Sequence, residues 1–377
     1  MTDCYVTIIG GGVIGNAVAY QLSEDIPDEP ICLVERNKSF PGENQTSRNS
    51  GVIHAGIYYD KEVTPLKVEL CVEGNELLYQ FCRTHNIPAK RTGKLIIATK
   101  KEEDKTLETL LQRAEENNVE AVEVDRRDVN EIEPNIKVYS ALYVPKSGII
   151  DPTSLVRRLQ HLSNINNLYL KGTEVIDITP TRKEFIIAVK NLSGEYKFTT
   201  RYIVNAAGLD SDKIALMVNP EFPLRIFQVR GESAKYYPTN NTRVSRLVYP
   251  TPTTISKPDG TNQLTVGVHL TPTFGKEITV GPYNEGGHTD LSSDLKPTSF
   301  FLEQIVGFFP GIKEDRLHLH QAGMQAVLAN GQDFHIATDT KYHRMINLVG
   351  ICSPGLTSSL AIAKRVSRFI GIGISCR

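Results

Sequence analysis

The chain opens on a β-branched apolar run, Tyr5-Val6-Thr7-Ile8-Ile9, which stops at Gly10-Gly11-Gly12-Val13-Ile14-Gly15. Apolar positions then recur at helical spacing through Val13, Ala17, Tyr20 and Leu22, and a second strand is predicted over Ile31-Cys32-Leu33-Val34. Further on, the pattern predicts a helix from near Thr64-Pro65, a densely charged amphipathic helix near 101–117, and a helix capped by Asp151-Pro152-Thr153 that ends near Leu162. Alternating runs at 167–177, 184–189 and 196–199 read as separate strands. Another strand, from Arg201 to Asn205, runs into the small residues Ala206-Ala207-Gly208, and Leu209-Asp210-Ser211 opens a helix. A last strand ends near Gly350, followed by a helix from about Leu356 to Phe369 with Leu356, Leu360, Ala363 and Val366 on its apolar face. Segments 239–246 and 283–296 are turn-rich and read as surface loops.

Composition narrows the class without naming any chemistry. The 377 residues suggest two to three domains at roughly 150 residues each. Lys plus Arg number 42 against 43 Asp plus Glu, a net charge of −1. So balanced a chain has no global pull toward nucleic acid or an anionic membrane. Cys4, Cys32, Cys71, Cys82, Cys352 and Cys376 are scattered with no CxxC pair, so no metal is expected and a reducing compartment is favoured. The start Met1-Thr2-Asp3-Cys4 lacks a basic targeting region, and no apolar run approaches the roughly 18 residues of a membrane span. The expectation is a cytoplasmic protein with no integral membrane segment.

The first strand–turn–helix carries chemistry. Gly10, Gly12 and Gly15 form a GxGxxG turn, and Glu35 stands 20 residues past the last glycine, at the end of the second strand. Gly10 permits the tight turn, Gly12 lets a pyrophosphate approach the backbone, and Gly15 lets helix and strand pack closely. The helix N-terminus at Val13-Ile14 offers N–H groups and a positive dipole end to phosphates. Glu35 accepts from ribose hydroxyls, which disfavours a phosphorylated ribose. The order of elements points to a bound dinucleotide, FAD or NAD.

Three further segments favour FAD. Thr46-Ser47-Arg48-Asn49-Ser50-Gly51-Val52-Ile53-His54-Ala55-Gly56-Ile57-Tyr58-Tyr59 combines small hydroxyl residues, suited to phosphate oxygens, with a glycine-rich stretch that can lie against a flat ring. Asn205-Ala206-Ala207-Gly208 allows close backbone approach to a ligand. Ser353-Pro354-Gly355-Leu356-Thr357 opens the last helix, a second candidate anion site.

Together these segments resemble the D-amino-acid oxidase/glycine oxidase superfamily of FAD enzymes. Within it, the block from Asn49 to Tyr59 is similar to the L-2-hydroxyglutarate dehydrogenase/oxidase family. So are Leu66-Lys67 to Gly74, Gly93-Lys94-Leu95, Val229-Arg230-Gly231-Glu232, Gly267-Val268-His269-Leu270-Thr271-Pro272 and Val280-Gly281-Pro282. The resemblance implies an α/β fold: a Rossmann-like FAD-binding domain, with a parallel sheet and a three-stranded antiparallel meander, interleaved with an α+β substrate domain on a mixed, mainly antiparallel sheet. The FAD domain would comprise 1–85, 145–215 and 325–377, the substrate domain 86–144 and 216–324. Implied cofactor contacts are Gly10, Gly12, Val13, Ile14, Gly15, Glu35, Arg36, Thr46, Ser47, Arg48, Asn49, Ser50, Gly51, Val52, Ile53, Val175, Ala206, Ala207, Gly208, Ser353, Pro354, Gly355, Leu356 and Thr357.

The implied reaction is oxidation of an L-2-hydroxy acid, with L-2-hydroxyglutarate the default, by hydride transfer from Cα to flavin N5. It needs a base for the hydroxyl proton and a cation for the carboxylate. His54 and His269 are the base candidates, because imidazole titrates near neutral pH. Arg230 and then Lys94 are candidates for the cation, with an ion pair between Arg230 and Glu232 as the alternative. Tyr58 and Tyr59 are candidates to close the pocket, since the chain holds no Trp. One departure stands out: Ala322-Gly323-Met324-Gln325-Ala326 presents Gln325 where the resembling family typically has arginine. An amide donates hydrogen bonds but neutralises no carboxylate, so oxidation of a small amino acid and FAD binding with little turnover stay open. The electron acceptor, whether oxygen, quinone or another carrier, is not legible in the residues.

Overall fold

The computed structural model describes residues 2–39, 42, 44–163, 167–256, 262–287, 295–329, 331 and 333–375. Strand β1 (Cys4–Ile9), helix α1 (Val13–Asp25) and strand β2 (Ile31–Glu35) form the first unit, with β1 and β2 parallel and Val6 opposite Ile31. Every residue of both strands is buried, which is why they read as unbroken apolar runs rather than alternating ones. The sheet continues in parallel through Asn167–Lys171 beside β2, and through Gly194–Asn205 and then Met345–Val349 beyond β1, before His335–Thr338 closes the edge antiparallel. Glu174–Pro180, Phe185–Asn191 and the first half of Gly194–Asn205 form a three-stranded antiparallel meander on the same sheet. Helix α1, the helix Pro152–Leu162 and the C-terminal helix Gly355–Ser375 pack together through Val18, Leu22, Leu155, Leu159, Ile362 and Val366.

A second sheet runs in the order Leu317–Leu328, Ile226–Tyr236, Ile278–Gly286, Leu270–Pro272, Leu247–Pro250, Lys94–Ala98, Ser140–Val144 and Val122–Asp125. Its pairings are antiparallel except that of Leu247–Pro250 with Lys94–Ala98. Its core gathers Leu95, Ile97, Tyr236, Val248, Phe301 and Phe309. Leu317–Leu328 runs straight through the expected boundary at 325, so Gln325 sits on the second sheet. A small sheet of Val52–Ile53, Gly148–Ile150 and Ala89–Lys90 joins three segments that all lie in the first half of the chain.

Three local expectations need correction. The run 167–177 is two strands, Asn167–Lys171 beside β2 and Glu174–Pro180 in the meander, because Gly172 turns the chain between them with φ +62°. Residues 196–199 and 201–205 belong to one strand, Gly194–Asn205, whose first residues are exposed while its last are buried; the change of partner from meander to β1 makes its two halves look unlike. Tyr283 to Gly286 is the end of strand Ile278–Gly286, because Asn284 and Glu285 pair with Gly231 and Arg230 despite their turn-like composition. Residues 288–294 of that expected loop lie outside the described residues, as does Cys376.

Helix ends are fixed both locally and at long range. Asp151 accepts from Thr153 N at 2.9 Å and Ser154 N at 3.2 Å. The helix Pro65–Thr84 has no cap from its own Thr64 side chain; the Asp333 carboxylate accepts from Leu66 N at 2.8 Å and Lys67 N at 2.9 Å instead. Among the described residues no helix is long and apolar enough to cross a membrane, and no His, Cys, Asp and Glu cluster has the makings of a metal site.

Candidate active site

The glycine turn is shaped by steric need. A Cβ on Gly15 would fall 1.9 Å from Gly10 O, and one on Gly10, whose φ is +111°, would fall 2.3 Å from Ala206 O. Around Gly12, by contrast, the nearest atom to an added Cβ is Thr46 Oγ1 at 3.2 Å, so this side of the turn is open to a ligand. Asn16 Nδ2 braces the turn by donating to Gly11 O and Gly12 O. Thr46 Oγ1 accepts from Val13 N at 2.9 Å, at the first turn of α1. Glu35 is buried; its Oε2 accepts from Gly11 N at 2.6 Å and its Oε1 from Asn37 N at 2.8 Å. A backbone cradle at a helix N-terminus, with a carboxylate fixed at the neighbouring strand end, suits the pyrophosphate and ribose of a dinucleotide. The donor set therefore fits FAD.

The other expected contacts gather along this line. Arg36 pairs with Asp210 at 2.7 Å, joining the end of β2 to the turn after Ala206-Ala207-Gly208. Gly208 lies so close to Gln45 that a Cβ would meet its Oε1 at 2.2 Å. Val175 is buried on the meander. Ser47 Oγ donates to Gly42 O, Asn49 Nδ2 to Thr46 O, and Arg48 Nη1 to Ala322 O. Gly51 N is held by Asn49 Oδ1, Ser50 is half-buried beside it, and Val52 and Ile53 are buried. The helix Gly355–Ser375 starts against this segment. Thr357 Oγ1 accepts from His54 N at 3.0 Å and stands 3.5 Å from Val52 O, while Pro354, Gly355 and Leu356 complete the turn.

Past Ile53 lies a buried cluster of titratable groups. His54 O accepts from Asn75 Nδ2 at 2.7 Å, its Nε2 stands 3.4 Å from Ser353 Oγ, and its Nδ1 is buried with no partner among the described residues. Lys94 is 1% exposed. Its ammonium nitrogen lies 3.9 Å from the Tyr249 ring centre and 4.9 Å from that of Tyr58. Burial pushes Lys94 down to about 7. His269 stacks on Tyr249 with ring centres 3.7 Å apart, and its Nδ1 lies 2.9 Å from Gly267 O. Since a carbonyl only accepts, Nδ1 carries the proton and Nε2 is left as an acceptor. Burial holds His269 down at about 3, and His54 well below the ordinary imidazole value, with the Lys94 charge adding to both effects. Tyr58 OH is buried without a partner among the described residues, and Tyr59 hydrogen-bonds Ser353.

Arg230 stands on the strand Ile226–Tyr236 of the second sheet. It is 2% exposed, with Nε 3.2 Å from Glu232 Oε1, the alternative that its sequence context offered. Glu232 Oε2 also accepts from Lys296 N at 2.7 Å. Gln325 Nε2 donates to Asn284 Oδ1 at 3.0 Å. By strand alternation Gln325 shares a face with Gly323 and Gln321. That face presses on the cofactor-side loop: a Cβ on Gly323 would fall 2.4 Å from Arg48 O, and Gln321 Nε2 stands 3.4 Å from Asn49 O. Tyr249, Cys71 and Asn75 were not foreseen. Tyr249 stands on the buried strand Leu247–Pro250, and nothing in the sequence sets it apart.

Known proteins place this geometry in a family. Residues 5–368 match the FAD dependent oxidoreductase family. The chain is 31% identical to an L-2-hydroxyglutarate dehydrogenase of Indibacter alkaliphilus, covering 97% of this chain and 98% of that protein. A mitochondrial L-2-hydroxyglutarate dehydrogenase of Caenorhabditis briggsae is 29% identical, covering 96% and 92%. Among solved structures, a dithionite-reduced L-α-glycerophosphate oxidase from Mycoplasma pneumoniae with FAD bound superposes with a TM-score of 0.88 at 23% identity, over 98% of this chain and 95% of that one. The chain therefore belongs to the FAD dependent oxidoreductases, and within them to the L-2-hydroxyglutarate dehydrogenase family.

Proposed function

We propose that the protein oxidises an L-2-hydroxy acid, L-2-hydroxyglutarate by default, to the 2-oxo acid. The observation that carries this reading is the buried grouping of one cation, Lys94, with a neutral imidazole of fixed tautomer, His269, and orphaned polar atoms at Tyr58 OH and His54 Nδ1. Buried polar groups without partners await a ligand that pairs them. FAD, held by the glycine turn, Glu35 and the segment Thr46 to Ile53, supplies the acceptor for hydride leaving Cα. Lys94 binds the substrate carboxylate as a point charge. His269 Nε2 takes the hydroxyl proton, and the Gly267 carbonyl holds the resulting imidazolium through Nδ1–H. His54, pinned by Thr357 and Asn75, is the second base candidate and lines the same site. Tyr58 donates its hydroxyl to the substrate, and Tyr59 with Ser353 closes that side.

Anaerobic mixing of the FAD-loaded protein with a panel of acids tests the reading. L-2-hydroxyglutarate should bleach the yellow flavin, with weaker bleaching by other L-2-hydroxy acids. Bleaching by a small amino acid alone would overturn the substrate class. No bleaching by any acid would make this a flavin-binding protein with little turnover.

A further inference from the structure

The Tyr249 ring has a group tight against its centre on each side. The His269 imidazole lies at 3.7 Å with an interplanar angle of 27°, and the Lys94 ammonium at 3.9 Å. Two groups so near one ring centre cannot share a face without overlapping, so they occupy opposite faces. Tyr58 adds a second ring, 6.4 Å from Tyr249 at 21°, whose centre is 4.9 Å from the same ammonium. The three come from separate strands or strand edges: Lys94 from Lys94–Ala98, Tyr249 from its parallel neighbour Leu247–Pro250, and His269 from the residue before Leu270–Pro272. Parallel pairing sets Tyr249 opposite Ile96 rather than Lys94, so the lysine reaches the ring diagonally. The other titratable groups facing this stack are His54, Tyr58, Tyr59 and Cys71.

We propose that Tyr249 is a positioning residue that holds the anion-binding Lys94 and the base His269 on the two faces of one ring, and so sets the spacing between carboxylate grip and proton acceptor. This rests on the roles given above to Lys94 and His269. The physical reason is the ring quadrupole: an aromatic face attracts an ammonium, and a flat neutral imidazole packs on the other face without competing for it. A hydroxy acid needs its carboxylate and hydroxyl gripped at a fixed separation, since misplacement of either slows the reaction. The ring, rather than its hydroxyl, supplies that rigidity.

Three variants of the FAD-loaded full chain test this. Tyr249→Phe keeps both faces and should keep the KM of the parent. Tyr249→pentafluorophenylalanine keeps the shape but reverses the quadrupole, and should raise KM about tenfold while kcat holds. Tyr249→Leu removes both faces and should raise KM and lower kcat together. In the same proteins, imidazole nitrogen NMR follows His269 without any substrate. Its titration should stay outside about pH 5 to 8 in the parent and in Tyr249→Phe, and rise toward the ordinary imidazole range near about 6.5 in Tyr249→Leu. A pentafluoro variant with the parent's KM, or a phenylalanine variant with a raised KM, would overturn the proposal even if Tyr249→Leu fails to fold. If only a different class of acid reduces the flavin, the substrate reading falls while the NMR arm still decides the role of the ring.

Discussion

Replacing Lys94 by methionine should make the protein more stable and less able to grip its substrate. Lys94 is 1% exposed, and burial takes its ammonium from an ordinary 10.5 down to about 7. At pH 7 that corresponds to a charge penalty of about 4 kcal/mol in the folded state. The faces of Tyr249 and Tyr58, at 3.9 and 4.9 Å, attract the ammonium and offset about 1–2 kcal/mol of this, leaving about 2–3 kcal/mol. Methionine has a similar unbranched shape and carries no charge to desolvate. The sign in pH follows from the depressed value. Between about 7 and 10.5 the unfolded chain holds a proton on Lys94 that the folded chain has lost, so stability rises with pH across that window. Lys94→Met should therefore gain about 2–3 kcal/mol at pH 7, and its advantage should vanish by about pH 10. Urea unfolding of FAD-saturated protein at a series of pH values reads both effects. KM for the hydroxy acid should rise about 10- to 100-fold with the loss of a charge-assisted hydrogen bond. A variant that is less stable at pH 7, or that keeps the parent's rise in stability above pH 7, would refute the reasoning.

Three further outcomes follow from other parts of the molecule. His269→Ala should slow anaerobic flavin reduction by about 10²- to 10⁴-fold with FAD still bound, and His54→Ala should also slow it; a histidine whose loss leaves the rate unaltered has no part in the reaction. Gln325→Arg should raise kcat/KM for dicarboxylic hydroxy acids, because it adds a cation on the face that meets Arg48 and Asn49; no change would remove that position from substrate recognition. Asp333→Ala should cost about 1 kcal/mol in unfolding experiments by uncapping the helix Pro65–Thr84, with flavin reduction unchanged; an equal stability would mean the two backbone bonds are replaced by water.

The features legible in the sequence are those whose cause is local. Gly10 and Gly15 are five residues apart, and a Cβ on Gly15 would meet Gly10 O, so their spacing carries the reason for Gly15, whereas the close neighbour of Gly10 is the distant Ala206. Asp151 caps a helix that begins at the next residue, and that pattern too is readable without a fold. Asp333 does the same work for a helix 267 residues earlier, and no local signal exists for it. Tyr249 is hidden for a similar reason. Its meaning comes from Tyr58, Lys94 and His269, three segments that only the assembled second sheet and the loop after Ile53 bring to one ring. Gln325 falls between these cases: the residue type marks a departure, but only the strand register puts it on the face toward Arg48.

The near-neutral charge of the whole chain acquires its meaning at this scale. With a net charge of −1 there is no global field to draw in an acid, so attraction must come from single groups and helix ends. Arg230 is partly neutralised by Glu232 at 3.2 Å, and Gln325 spends its amide on Asn284. The groups that shift His54 and His269 include Lys94, and no carboxylate figures among them. In the proposed reading, Lys94 is the cation on which anion selection in this cluster turns. With burial pushing Lys94 down to about 7, the proposed carboxylate binding would do more than meet a charge: it would draw a proton onto the amine and hold it there. His269, held neutral by burial, is the acceptor proposed for the substrate's proton, while Lys94 would keep its own. On this proposal the same desolvation that makes the lysine costly to fold would make it responsive to an acid, with the Tyr249 ring standing between lysine and histidine.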